Sequence, residues 1–298
     1  FTSIIGALIS WDAVTIVWYR MIFASIILFI FMLFISSGIT KINSKRVPSL
    51  ILAGFLIASH WIAFFKSVKI VGVSPTLAML STGAIITAFL EPIFYKRKIL
   101  IYEIIFGSIA MIGTLVIFRS TPDDFFGMSI ALLATVLGVF YTLINGKLTN
   151  EYSAITLNFY EMTIGVVFIT IYMFYFGEFN KFIFQFSVND FLWILILSSV
   201  CTAYAITKSI SLMKVLNPYS IMLILNMEPI YGIVLALIIF GENELMNLNF
   251  YLGLALIMIA IISLSLIHIS EPTRLMSIGG GGVGVEKKRG GGGGGGGG

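Results

Sequence analysis

Long apolar runs recur along the chain, separated by short segments that carry glycine, proline or charge. The runs are continuous rather than alternating, and about 20 apolar residues is the length that an α-helix needs to cross a bilayer core. Because hydrocarbon offers the backbone no hydrogen-bond partner, such runs are expected to be helical. Run lengths and breaker residues predict ten helices, over residues 1–9, 13–36, 49–68, 74–95, 99–118, 125–145, 153–176, 190–212, 218–240 and 248–267. The expected fold class is an all-α integral membrane protein of ten transmembrane helices, the first of which lacks its N-terminal half.

One stretch of the chain occurs twice. Residues 11–23, WDAVTIVWYRMIF, align with residues 152–164, YSAITLNFYEMTI, at a shift of 141 residues, which lays Arg20 over Glu161. The match continues in the pairs Lys66–Ser67 with Lys208–Ser209 and Ser74–Pro75 with Asn217–Pro218. The repeat therefore predicts two related halves of five helices each.

An odd number of helices in each half means that the second half runs inverted through the membrane. We expect an N-terminal half over residues 1–119, a C-terminal half over residues 120–267, and a Gly-rich tail over residues 268–298 that is not native. Inverted repeats with a binding site near the midplane are the usual construction of secondary transporters.

Composition and charge agree with a membrane protein. The chain is 58% hydrophobic and 11% charged, whereas soluble domains average about 25% charged residues. The net charge of +4 does not indicate nucleic-acid binding, since the tail contributes part of it. Basic residues cluster after the even-numbered helices, so both termini are expected in the cytoplasm; these residues are Lys41, Lys45, Arg46, Lys96, Arg97, Lys98, Lys147 and Lys214.

Three motifs resemble a known family. SPTLAML at 74–80, NPYSIML at 217–223 and EPIYGIVLALIIFGE at 228–242 are similar to segments of the EamA family of the drug/metabolite transporter superfamily. The resemblance implies alternating access around a central cavity, small metabolites such as amino acids, sugars or nucleotide derivatives as substrates, and the bacterial inner membrane as location. One departure is that Glu242 closes the motif in the C-terminal half, whereas the N-terminal half has Lys96–Arg97 there.

Ionisable side chains inside a span are costly and mark candidate functional residues. Glu228 and His60 lie about ten residues into their helices, or roughly 15 Å deep, with Asn226 and Trp61 beside them. Glu228 is expected to bind substrate or a proton, and His60 to line the same cavity. The structural alternative for both is a hydrogen-bonded residue in the bundle interior.

Arg20 and Glu161 each lie roughly 10–12 Å deep from opposite faces. We expect them to line the two ends of one pathway rather than to pair, with outward snorkelling as the alternative for Arg20. Tyr19, Tyr160, Tyr141 and Tyr204 are candidate cavity aromatics, although tyrosine is also common at membrane interfaces. Lys66 and Lys208 are expected to snorkel, and Glu91 to be an interfacial ion-pair residue.

The expected function is a secondary-active exporter of a small metabolite, with the bilayer as its surroundings and protons as a possible coupling ion. We expect no cofactor, metal or nucleic-acid partner, and the oligomeric state is open. No Gly-rich loop followed by Lys and Ser/Thr is present, which excludes ATP-driven transport by this chain alone. An intramembrane enzyme and a channel are the alternatives. The enzyme would need a metal cluster or a nucleophile–base pair, and the channel a symmetric ring of like residues.

Overall fold

The computed structural model of the chain describes residues 1–35, 41–96, 101–120, 122–177, 179, 187–225 and 227–270. Every regular element within these ranges is a helix. In chain order the α-helices are α1 Thr2–Leu8, α2 Ala13–Ile35, α3 Val47–Val71, α4 Val73–Leu80, α5 Gly83–Tyr95, α6 Ile101–Ser120, α7 Phe125–Leu148, α8 Ala154–Tyr175, α9 Val188–Ser198, α10 Ala205–Leu212, α11 Pro218–Leu225, α12 Met227–Phe240 and α13 Leu248–Ser270. A π-helical segment, Ser199–Tyr204, joins α9 to α10, and short 3-10 turns occupy Pro122–Asp124 and Gly241–Glu244.

Seven helical stretches of the described chain are long and apolar enough to cross a membrane. They are Ala13–Phe34, Val47–Val71, Val73–Tyr95, Phe125–Leu148, Ala154–Tyr175, Val188–Leu212 and Pro218–Glu244, and shorter apolar helices cover Ile104–Ser120 and Leu248–Leu264. The prediction of an all-α membrane protein is confirmed. The number of ten spans stays a prediction, and nearly all of the predicted tail lies outside the described residues.

The helix predicted over 74–95 is two helices, α4 and α5, separated at Ser81 and Thr82. The two hydroxyls donate to the carbonyls of Ala78 and Met79, at 2.6 and 2.7 Å, and so compete with the helical ladder. Gly83 follows, and a β-carbon there would stand 2.5 Å from the Cε of Met222. The turn therefore brings α5 close to α11.

The centre of the bundle is α3, which packs along α7 and α8, while α2 packs against α8 and against α9 with its π-helical continuation. The α6–α13 pair forms a second layer at one side. At the crossing of that pair, an added β-carbon at Gly113 would stand 2.7 Å from the carbonyl oxygen of Gly253, and one at Gly253 would stand 2.7 Å from that of Gly113. Glycine on both sides allows the two backbones to touch.

A carboxylate from the C-terminal half caps a helix of the N-terminal half. Glu244 is buried, and its two oxygens accept hydrogen bonds from the amides of Val73 and Ser74, at 2.7 and 2.8 Å, at the start of α4. The preceding Gly72 has φ of 87°, and a β-carbon there would stand 2.9 Å from Glu244 Oε1. Glycine is thus required both by the backbone conformation and by the approach of the carboxylate.

Two more buried carboxylates join the halves. Asp190 at the start of α9 accepts from the amide and the hydroxyl of Ser10, at 2.8 and 2.7 Å, and from the hydroxyl of Ser187 at 2.7 Å. Glu91 in α5 accepts from the amide of Tyr219 in α11 at 3.0 Å. Glu91 is 4% exposed and therefore lies buried between α5 and α11.

Candidate functional site

A cavity of about 260 Å³ lies inside the bundle, and helices of both halves contribute to its wall. The wall is mainly apolar, as is usual for small-molecule sites. Its polar members are Thr2, Arg20, His60, Thr135, Tyr141, Thr142, Ser209 and Glu228. Five of the residues singled out in the sequence line this one cavity, namely Arg20, His60, Trp61, Tyr141 and Glu228.

Arg20 is the largest buried polar side chain, with 1% of its surface exposed. Its guanidinium lies 3.7 Å from the centroid of the Trp61 ring, and Nε donates to Thr202 Oγ1 at 2.6 Å. Nη2 donates to the carbonyl of Cys201 at 3.4 Å, while Nη1 has no hydrogen-bond partner in the described part of the chain. Snorkelling out of the membrane is therefore excluded for this side chain, which is held in the cavity wall.

The partners of Arg20 belong to the π-helical segment, where the helix widens and carbonyls lose their regular ladder. Thr202 donates its own hydroxyl to the carbonyl of Leu197 at 2.7 Å and accepts from Arg20. Asn158 in α8 supports the segment from the other side, donating to Thr207 Oγ1 at 2.8 Å and reaching the carbonyl of Ala203 at 3.5 Å. The apolar pattern of residues 190–212 gives no signal for this segment beyond the polar pair Cys201–Thr202.

His60 is fixed in the wall by a single short contact. Its Nδ1 lies 2.6 Å from the carbonyl oxygen of Ala134, and its ring stacks over Phe64 with centroids 6.3 Å apart. A carbonyl can only accept, so Nδ1 carries a proton and the neutral ring keeps Nε2 as an acceptor. A β-carbon at Gly138 would stand 3.0 Å from Nδ1, so glycine makes room for the ring.

Glu228 lies at the second residue of α12, is partly exposed to the cavity, and is followed by the buried Pro229. Glu228 and Arg20 thus put opposite charges on the wall of one cavity. Asn226, the other residue singled out here, lies outside the described residues.

Glu161 is fully buried and does not line the cavity itself. Its Oε2 accepts from the hydroxyl of Tyr141 at 2.9 Å, and Tyr141 is part of the cavity wall. Oε1 has no hydrogen-bond partner among the described residues. The carboxyl group is therefore one hydrogen bond away from the cavity.

The three remaining tyrosines do not line this cavity. Tyr19 packs between Trp11 and Phe23, with ring centroids 5.0 and 5.9 Å away. Tyr160 is partly buried beside Phe159 at 5.4 Å. Tyr204 is 64% exposed on the outer face of the bundle.

Sequence reasoning missed the wall hydroxyls and the capping carboxylates. Thr135 and Thr142 in α7 and Ser209 in α10 give the cavity hydroxyl groups, but they occur among many similar residues in apolar runs. Asp190 and Glu244 sit at helix ends in the sequence, where exposure is the usual expectation. Only the packing of one half against the other buries them.

A bundle of apolar, membrane-length helices around a cavity with buried ionic side chains defines a multi-pass membrane protein. The model of the EamA-like transporter family matches residues 1–119 and 125–266. The chain belongs to the EamA-like transporter family, and the sequence resemblance is confirmed.

Solved structures match the chain as well. Twenty-three solved chains do so, among them one titled only "Crystal structure of protein", with a TM-score of 0.65 and 10% sequence identity over 89% of this chain and 95% of that chain. At this identity the likeness shows the fold alone. The curated proteins contain no match.

Proposed function

We propose that the chain is a secondary-active exporter that moves a small amphipathic metabolite across the bacterial inner membrane by alternating access. The observation that carries the proposal is the cavity between the two halves, whose apolar wall holds the guanidinium of Arg20 and the carboxylate of Glu228. Charged groups are kept inside a membrane protein chiefly where substrates or ions pass.

The cavity limits the substrate. A volume of about 260 Å³ is below the range of roughly 300–1,000 Å³ that holds drug-sized ligands. Arg20 Nη1 offers a donor to an anionic group, Glu228 an acceptor to a cationic one, and Trp61 and Phe64 an aromatic surface. A small molecule with an ionic end and an apolar part fits this chemistry.

An inverted repeat is supported by contacts that are reciprocal. A β-carbon added at Gly113 would stand 2.9 Å from Cγ1 of Ile257, and one added at Gly253 would stand 2.7 Å from Cγ1 of Ile117. In the predicted repeat, Gly113 corresponds to Gly253 and Ile117 to Ile257. A two-fold relation between two elements produces reciprocal contacts of this kind, in which residue i of one contacts residue j of the other and the reverse also holds. The α2–α8 pair likewise joins helices that correspond in the predicted repeat, and the α4–α12 contact has its counterpart in the α5–α11 contact.

Alternating access requires the halves to separate at one end at a time. Asp190 joins the halves at Ser10, between α1 and α2, and Glu244 joins them where α3 ends and α4 begins. Glu91 joins them where α11 begins. We assign these contacts to gates at the two ends. Opening either gate breaks only a few hydrogen bonds to backbone amides, so the free-energy cost of the transition is modest.

Glu161 is the proposed proton carrier. A buried carboxylate with one hydrogen bond would be an uncompensated charge, whereas the protonated acid is tolerated. We assign the protonated form to this conformation and release of the proton through Tyr141 to the cavity in another.

The basic residues after the even-numbered helices support cytoplasmic termini.

The test is transport by purified protein in liposomes, after a thermal-shift screen against amino acids, nucleosides and sugars has identified a ligand. Glu228→Gln should lose the ligand-induced shift and transport while keeping the melting temperature of the free protein. Tyr231→Phe, on the exposed face of α12, is the matched control and should retain both.

Full transport by the Glu228 variant would remove that residue from the site, and the absence of uptake of any stabilising ligand would overturn the transporter proposal. Glu161→Gln should fold and bind ligand but should no longer respond to an imposed pH gradient. An unchanged response would overturn the proton assignment alone.

A further inference from the structure

A second cavity of about 510 Å³ opens on the outer face of the bundle, away from the central one. It lies between α2, α8 and the α9–α10 span, and we call it the lateral groove. Its apolar side is formed by Ile27, Leu28, Phe31, Ile155, Ala203 and Tyr204, and its polar side by Ser153, Ser199, Thr207, Lys208 and Ser211. The groove is therefore amphipathic.

Lys208 supplies the charge of the groove. It is exposed, and its Nζ lies 5.8 Å from the centroid of the Tyr204 ring, so the side chain folds along the groove wall. No carboxylate in the described part of the chain lies within 4.0 Å of this ammonium. An ammonium at the edge of an apolar surface attracts the anionic headgroup of a lipid.

Thr207 supplies a free hydroxyl donor. Its Oγ1 accepts from Asn158, which leaves the hydroxyl hydrogen available. The hydroxyls of Ser199 and Ser211 instead donate to carbonyls of their own helix, at 2.6 and 2.8 Å. The groove thus presents one ammonium and one hydroxyl donor on adjacent residues, and the acceptor they require is absent from the described residues.

The polar side of the groove lies near one end of the bundle, which the predicted topology places at the cytoplasmic membrane interface. Lys208 is four residues before the end of α10 at Leu212, which is about 6 Å along the axis. Ser153 is the N-cap of α8, so the same end of the bundle closes the groove. Lys214 and Lys41 belong to this end too, and basic residues favour the leaflet that carries anionic lipid.

We propose that the lateral groove binds an anionic glycerophospholipid, with its phosphate at Lys208 and Thr207 and an acyl chain along Ile27 and Phe31. The apolar side of the groove suits an acyl chain, and its two donors suit a phosphate. Simple snorkelling of Lys208 would need neither a groove nor the neighbouring hydroxyl donor. The proposal is independent of what the central cavity transports.

The experiment compares purified protein in nanodiscs of phosphatidylcholine with protein in nanodiscs of phosphatidylcholine mixed with phosphatidylglycerol. Phosphatidylglycerol should raise the melting temperature of the wild type, and native mass spectrometry should show retained phosphatidylglycerol. Lys208→Gln should weaken retention by about fivefold, the effect of one basic residue near an anionic headgroup. Lys208→Arg should restore it.

Lys214→Gln is the matched control, because Lys214 is exposed at the same end but does not line the groove. Its retention of phosphatidylglycerol should equal that of the wild type. Equal loss in both lysine variants would show general surface attraction and overturn the site. Equal retention of phosphatidylcholine would overturn the requirement for negative charge, and the same stabilisation by glycerol phosphate alone would overturn the lipid as occupant.

Discussion

Arg20 and Thr202 should be energetically coupled, because the hydrogen bond between them connects α2 to the π-helical segment. Thr202→Val keeps the shape of the side chain and removes the hydroxyl that accepts from Arg20 Nε at 2.6 Å. Arg20→Met removes the guanidinium and keeps much of its length. The double-mutant cycle of these two changes isolates the contact from the rest of each side chain.

The magnitude follows from the burial of the pair. A hydrogen bond to a charged group contributes about 1.5–3 kcal/mol, and the same range is the expected coupling energy. Arg20→Met alone is harder to assign, since it gives up stacking on Trp61 worth about 2 kcal/mol but also relieves the desolvation of a buried charge. For this reason the coupling energy, and not the single substitution, is the quantity to measure.

The assay is unfolding of the four proteins in detergent micelles, followed by circular dichroism. Thr163→Val is the control partner, because its hydroxyl donates to the carbonyl of Phe159 within α8 at 2.8 Å and does not contact Arg20. The cycle of Arg20→Met with Thr163→Val should be additive within about 0.5 kcal/mol. Additivity in the Thr202 cycle as well would refute the inference that Arg20 holds the π-helical segment.

Three further predictions concern stability and use the same unfolding measurement. Glu244→Gln should cost about 0.5–2 kcal/mol, the usual effect of losing a helix cap, and an unchanged stability would refute its role as a cap. Gly113→Leu and Gly253→Leu should each lower the free energy of unfolding by more than the roughly 1–3 kcal/mol that is usual for overpacking, because a β-carbon at either position already meets the backbone of the other helix. Ser108→Leu, at an exposed position of α6, should not destabilise the protein in this way. Arg46→Ala should leave the stability almost unchanged, because the ion pair of Arg46 with Glu151 is exposed to solvent. A clear loss of stability would contradict this.

The sequence was sufficient for the class of fold because apolar length and breaker residues report directly on membrane spans. It also singled out five side chains of the central cavity. Arg20, His60 and Glu228 were identified because an ionisable group deep in an apolar run is costly and is retained chiefly at functional positions, and Trp61 and Tyr141 because they are aromatic residues in the same parts of the helices. It could not supply helix rotation, and Tyr19 was therefore predicted to line the cavity with Arg20, although it packs about 100° away round the helix. The turn at Ser81 and Thr82 depends on local hydroxyl–carbonyl competition that hydropathy does not register.

Two of the buried polar atoms that lack a hydrogen-bond partner among the described residues lie at or beside the central cavity. Arg20 Nη1 and Glu161 Oε1 are both buried, and neither has a partner in the described residues. Each such atom costs about 1–3 kcal/mol or more in a low-dielectric interior, so a purely structural Arg or Glu would be expected to acquire a partner. The guanidinium instead lines the cavity, and the carboxyl reaches the same cavity through Tyr141. Under the proposed function, a ligand at Arg20 and a proton at Glu161 would remove this energetic cost, and their binding would then shift the balance between two conformations.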